Sequence, residues 1–148
     1  MKTDEIIRQI RSCESMCEAG RAATAYFLEV CRSDPSLIPP TGNSRLRDIH
    51  ACHDDLERTY LVRMFAIIEM ALREFWRRAA ARRSHPAVNR LMDRIALRCN
   101  IAVDHRTRAQ SVRGFRNTLV HGGTGKSVTL GDARSYLCGF LSNLPRDW

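Results

Sequence analysis

Between Tyr60 and Trp76 the chain is apolar at every position except Arg63, Glu69, Arg73 and Glu74. A helix that is apolar around most of its girth lies in the middle of a bundle, so this stretch predicts a central helix, expected from about Asp54 to Arg82, with other helices around it. The segment emerges as a basic end carrying Arg73, Arg77, Arg78, Arg82 and Arg83. Glu69 falls on the stripe Val62, Phe65, Glu69, Leu72, Trp76. A carboxylate on such a stripe is costly unless paired, so a basic partner is expected for it.

The flanking segments repeat the helical period. Ile6, Ile10, Cys13, Cys17, Gly20, Thr24, Phe27 and Cys31 recur at spacings of three and four, one continuous face of a helix from about Thr3 to Arg32. Thr24 is the polar member of that stripe, tolerable because a helical Thr hydroxyl can bond the carbonyl four residues back, that of Gly20. Ser33 to Asn43, with its Asp-Pro, Pro-Pro and Gly-Asn breakers, reads as a loop whose Leu37 and Ile38 are expected to tuck against the core. Ser44 to His53 carries no clear period and is open to a short helical turn. Ser84-His-Pro86 restarts a helix to Cys99, with Ser84 or His85 capping it and Pro86 in its first turn. Val88, Leu91, Met92, Ile95 and Cys99 line one face of that helix, and Arg90, Arg94 and Arg98 the other. Asp104 is expected to cap a fourth helix ending at His121. Thr129 and Asp132 form a capping box for a last helix carrying Ala133, Leu137, Phe140, Leu141 and Leu144 and stopping at Pro145. No stretch reads as a strand. The expected fold is all-α: residues 1–148 as a single domain, a helical bundle of about five helices.

A chain of 148 residues fits one domain with a core of its own. The formal net charge is +8, and only Lys2 and Lys126 of the basic residues are lysine. Arginine binds phosphate as a bidentate fork and stacks on bases, which makes nucleic acid a plausible partner; an arginine-rich solvated surface is the competing explanation. Met1-Lys-Thr-Asp-Glu5 leads straight into a helical pattern, with no signal-peptide arrangement. No apolar run approaches the ~20 residues needed to span a bilayer. The six cysteines are therefore read as reduced and the protein as cytoplasmic, with no membrane partner.

Several chemical sites fail on spacing or periodicity. Gly123-Thr-Gly-Lys-Ser127 lacks the earlier glycine of a Walker loop, where Val120 stands, and follows a helix instead of a strand. Cys13, Cys17, His50 and His53 have chelate-like spacings for zinc, but the helical stripe already accounts for both cysteines as core residues. No nucleophile elbow supports Ser/His/Asp catalysis, and Cys99 and Cys138 fall on apolar faces. What remains is Arg113-Gly-Phe-Arg-Asn-Thr-Leu-Val-His-Gly-Gly123. Its apolar rhythm is Val112, Phe115, Leu119, and two glycines end it, which places His121 on the last turn of a helix, where free carbonyls and the negative end of the dipole favour positive charge. An arginine and a titratable histidine close together suit work on a phosphate.

The segment Leu61-Val-Arg-Met-Phe-Ala-Ile-Ile-Glu-Met-Ala-Leu-Arg-Glu-Phe75, followed by Phe115-Arg-Asn-Thr-Leu-Val-His-Gly122, resembles a HEPN domain. That family is an all-α bundle marked by an Arg, four to six residues of which the first is polar and often Asn, and then His; Arg116-Asn117-x3-His121 matches in full. The resemblance covers about Asp54 to His121. It implies a metal-independent endoribonuclease without cofactor, often the toxin of a toxin–antitoxin or phage-defence system. In this chain it implies that His121 moves a proton, that Arg116 stabilises charge on the phosphorane, and that Asn117 orients His121 or the phosphate. The products would be a 2′,3′-cyclic phosphate and a 5′-hydroxyl. Glu69 is a candidate support for Arg116 or His121, and Arg113 and Lys126 are candidate RNA contacts. Arg116 and His121 diverge by about 140° around one helix, and the family usually dimerises, so a homodimer with a composite active site is expected. A cognate antitoxin protein is a possible further partner. The alternative is a non-catalytic HEPN module that binds RNA, a nucleotide or a partner nucleotidyltransferase, and a third is a helical scaffold for dimerisation.

Overall fold

The computed structural model describes residues 2–37, 45–80, 86–124 and 126–148. They form five α-helices: α1 (Thr3–Ser33), α2 (Leu46–Ala80), α3 (Val88–Arg98), α4 (Val103–His121) and α5 (Leu130–Leu141), with a single 3-10 turn at Pro35–Leu37. No strand occurs among the described residues, so the all-α expectation is met. The expected central helix is α2, which packs against all four others, most extensively against α1. Leu61, Met64, Phe65, Ile68, Leu72 and Phe75 supply its buried side. The opposite side leaves Ala66 and Met70 in solvent, so α2 is central without being enclosed.

On α1 the stripe buries Ile6, Ile10, Cys13, Cys17 and Cys31. Phe27 is only half-buried, and Leu28 takes the core position beside it. Thr24 Oγ1 donates to the Gly20 carbonyl at 2.9 Å, as its helical position predicts, and it also lies 2.7 Å from His53 Nδ1 of α2.

Three helix starts and one loop contact differ from the sequence expectation. α2 begins at Leu46, not near Asp54, because Asp48 Oδ2 accepts the backbone N–H of Arg45 at 2.8 Å, half of a capping box, while Leu46 and Ile49 gain partial burial. α4 begins at Val103 after Ala102, so Asp104 does not cap it; it sits in the first turn and pairs with Arg108 at 3.0 Å. Pro86 precedes α3 and Ala87 stands at its N-cap without a side-chain bond, while the expected caps Ser84 and His85 lie outside the described residues. Leu37 is exposed instead of tucked inward, and Ile38 lies outside the described residues.

Three local devices set how the helices meet. The α3–α4 turn is a Schellman motif: Asn100 has φ 52°, Ile101 N–H bonds the Ala96 carbonyl at 2.8 Å, and both Ala96 and Ile101 are buried. At Gly139 of α5, a Cβ would come within 3.1 Å of His105 Nδ1, so glycine sets how closely α5 approaches α4. Thr129 caps α5 as expected, with the N–H of Asp132 donating to Thr129 Oγ1 at 3.1 Å, but the Asp132 carboxylate accepts from the Thr129 hydroxyl and not from its backbone N–H, so half of the expected capping box is present. After α5 the tail returns to the start of α1. Thr3 N–H bonds the Arg146 carbonyl, Thr3 Oγ1 donates to the Pro145 carbonyl, and Trp148 Nε1 donates to Thr3 Oγ1. The Trp148 ring then stands edge-on to Phe75 of α2 at 5.3 Å. No feature of the periodicity announces this clasp.

Candidate functional site

Helix α4 presents the motif residues. Its packing side is Ala109 and Val112, both buried, continued by the half-buried Phe115, Arg116 and Leu119. Arg116 therefore occupies a core-side position, and its guanidinium carbon lies 6.0 Å from the centroid of the Phe65 ring of α2. Nη1 donates to Asn117 Oδ1 at 3.1 Å. The Nε atom is buried and has no hydrogen-bond partner among the described residues. No carboxylate pairs with Arg116 among the described residues.

His121 is the last residue of α4 and is exposed. The expected glycine stop is present: Gly122 has φ 75° and Gly123 φ 127°, backbone values that disfavour a Cβ. Arg116 and His121 thus project about 140° apart around one helix, the divergence their spacing dictates. The two are not gathered at one point within a single chain.

The neighbours expected for this pair take other positions. Glu69 finds its basic partner in Arg73, one turn further along α2, through two bonds of 3.0 and 2.7 Å to Oε1. Among the described residues it makes no bond to Arg116 or His121, because the i,i+4 reach within α2 is shorter and engages its Oε1. Arg73 also reaches the Pro86 carbonyl at 3.4 Å and so ties α2 to the entry of α3. Asn117 engages Arg116 and not His121, although its spacing places it on the histidine's face. Arg113 donates from Nε to Gln110 Oε1 at 2.7 Å, and Gln110 in turn bonds the Asn89 carbonyl and Asp93 of α3. Lys126 is exposed on the loop after His121; Gly125 of that loop lies outside the described residues.

The positions weighed for metal or thiol chemistry are scattered. Cys13 and Cys17 are core residues, His50 is exposed, and His53 turns to Thr24. Burial pushes the Cys13, Cys17, Cys99 and Cys138 thiols up from the ordinary value. An open cleft of about 880 Å³ lies between α2, α4 and the loop that follows His121. It takes Phe115, Thr118 and Leu119 from α4 and the acidic Asp54, Asp55 and Glu57 from α2, and neither Arg116 nor His121 lines it. With Arg58 also on the α2 side, the wall carries three carboxylates to one arginine, which suits a phosphate poorly.

Sequence reasoning missed the seat of Arg116 on Phe65. The signal was available in principle: Val112, Arg116 and Leu119 share one helical face, so an arginine stands on an apolar stripe as Glu69 does on its own. No helix among the described residues is long and apolar enough to cross a membrane. Comparison with family models, with curated proteins and with solved structures returned no match to this chain.

Proposed function

We propose that the chain is a metal-independent endoribonuclease of the HEPN kind, acting as a homodimer. The observation that carries this reading is Arg116. A half-buried guanidinium lying against an aromatic ring, with its Nε buried and unpartnered and no carboxylate paired with it among the described residues, has given up water at that nitrogen without gaining an anion. A phosphodiester supplies the missing anion in a form the guanidinium fork matches.

The reaction uses the nucleophile that RNA itself carries. The 2′-oxygen bonds to phosphorus as its proton passes to a base, and the P–O5′ bond breaks as the leaving oxygen gains a proton. The products are a 2′,3′-cyclic phosphate and a 5′-hydroxyl. Arg116 stabilises charge on the phosphorane oxygens. Two copies of His121, brought together across a two-fold axis, serve as the base and the acid. The divergence of Arg116 and His121 on α4 is what makes the second copy necessary. In this reading the protein is a toxin of a toxin–antitoxin or phage-defence pair, working in the cytoplasm under the control of an antitoxin protein.

The same divergence favours one competing reading. A single chain offers a phosphate Arg116 without His121, which suits a non-catalytic module that binds RNA, a nucleotide or a partner nucleotidyltransferase. Incubation of the purified protein with RNA in the presence and absence of EDTA separates the two. Cleavage that survives EDTA and disappears in Arg116→Ala and in His121→Ala, with the helical circular-dichroism signal unchanged, is the expected result. Full activity in either variant, or the absence of cleavage by a protein shown to be dimeric, sinks the nuclease assignment.

A further inference from the structure

We propose that the outer face of α3, together with Trp76 of α2, is a binding track for a single-stranded polynucleotide. Arg90, Arg94 and Arg98 are all exposed, at i, i+4 and i+8 on one helix, about 6 Å apart along its axis. None of them has an ion-pair partner among the described residues. The acid on the same helix, Asp93, is turned away to α4, where it meets Arg106 at 3.9 Å and Gln110 at 3.2 Å. The row keeps its charge.

A row of arginines alone describes any solvated basic face. What distinguishes this one is the hollow beside it, about 370 Å³, lined by Trp76, Arg94, Leu97 and Arg98. The Arg94 guanidinium carbon lies 5.8 Å from the centroid of the Trp76 ring, so a cation and an indole share one wall. Leu97 stands 85% exposed at the rim, the most exposed of the large apolar side chains among the described residues. Charges in a line, a planar cation–π surface and an apolar rim match the three parts of a nucleotide strand: phosphates, base faces and base edges.

The same features decide against other polyanions. A duplex keeps its bases stacked inside and offers no face to the hollow. A lipid surface requires a broad outward apolar face, whereas the apolar side of α3, with Leu91, Met92, Ile95 and Ala96, is buried against the bundle. An acidic peptide satisfies the arginines but brings no planar group to the wall that Trp76 and Arg94 form. That this strand is the RNA to be cut rests on the nuclease reading above. That the face binds a strand at all does not.

The test uses the full chain with His121→Ala, so that RNA stays intact during titration. Affinity for a labelled single-stranded RNA is measured by fluorescence anisotropy against the same sequence as single-stranded DNA, as duplex RNA, and with polyglutamate as competitor. Arg94→Gln with Arg98→Gln is compared with Arg8→Gln and Arg11→Gln, an exposed pair on α1 that removes the same charge. The α3 pair is expected to weaken single-strand binding about tenfold and to flatten the plot of log affinity against log salt by about 1.4. The α1 pair is expected to do neither. With Trp148→Phe, Trp76 is the remaining indole of the two in the chain, and the bound strand is expected to quench it. RNA and DNA single strands binding alike is the result expected of phosphate and base-face recognition; RNA binding far better assigns the track to RNA alone. Equal losses in the two pairs, no Trp76 quenching, duplex binding as tight as single strand, competition by polyglutamate at equal charge, or no binding overturns the proposal. Cleavage that persists in the wild-type background while these binding effects fail leaves the nuclease reading standing, and the reverse outcome leaves the track standing.

Discussion

Arg116 and Asn117 are consecutive on α4, yet the arginine reaches back over its own helix to donate to the amide oxygen of its neighbour at 3.1 Å. Adjacent residues on a helix point about 100° apart, and only a side chain as long as arginine closes that gap. The bond fixes one end of the guanidinium while Phe65 supports its plane. The Asn117 amide thereby holds the Arg116 guanidinium, and His121 stands at the helix end without it.

This arrangement makes Asn117 separable from His121. Asn117→Ala is expected to lower the rate of RNA cleavage by about tenfold, and Asn117→Asp by about a hundredfold, because a carboxylate at that point takes the charge that the phosphate should meet. Single-turnover cleavage at saturating RNA reads the difference. An aspartate variant as active as the alanine variant would mean that Arg116 does not act through its charge.

Glu69 is committed to Arg73, which predicts a structural and not a catalytic effect. Glu69→Gln is expected to cost on the order of 1 kcal/mol or less, since both partners keep some solvent exposure, and to leave cleavage within about twofold of the parent. Urea titration and the RNase assay check the two halves. Loss of cleavage in a fully folded Glu69→Gln protein would return Glu69 to the site.

Trp148 joins Thr3 of α1 to Phe75 of α2. Trp148→Ala removes an edge-on aromatic pair and a hydrogen bond, and is expected to cost about 2–3 kcal/mol. Trp148→Phe, which keeps the ring and loses the donor, is expected to cost about 1 kcal/mol. Thermal or urea denaturation monitored by circular dichroism measures both, and equal small losses would show that the clasp does not hold the helices.

The thiols of Cys13, Cys17, Cys99 and Cys138 are raised above the ordinary value of 9.0, with burial the leading cause in each. A raised folded value means that the native state holds its thiol protons more tightly than the unfolded chain. Their contribution to stability is complete below the unfolded value and is lost as pH rises above it through the folded one. Stability is therefore expected to fall on the alkaline side of about pH 9, and replacing Cys138 with Ala should lessen the slope there. Alkylation at neutral pH should reach the exposed Cys52 first, which peptide mass mapping reports.

The helical period was readable because it is a local property: apolar spacing along 3.6 residues per turn reports which side of a helix is buried, whatever it is buried against. That is why the α1 stripe from Ile6 to Cys17, the α2 core side, the Thr24 back-bond to Gly20, the glycine stop after His121 and the Thr129 cap appear in the structure where the residues placed them, while the far end of α1 buries Leu28 in place of Phe27. Helix starts were less readable. The start of α2 depends on Asp48 reaching back to Arg45 and on burial of Leu46 and Ile49, and a cap three residues away is a weak signal beside the apolar run that follows.

The sequence by itself determined that this chain is a bundle of helices with α2 at its centre, and that Arg116 and His121 face different ways, since both follow from residue spacing on a single helix. Only the tertiary structure decided which groups meet. It assigned Glu69 to Arg73, Asn117 to Arg116, Arg116 to the ring of Phe65, Arg94 to the ring of Trp76 and Trp148 to Thr3. Apolar periodicity says that a side is covered; the partner that covers it is chosen by how the helices cross and how far each polar side chain can reach, and neither is written in the spacing of one segment.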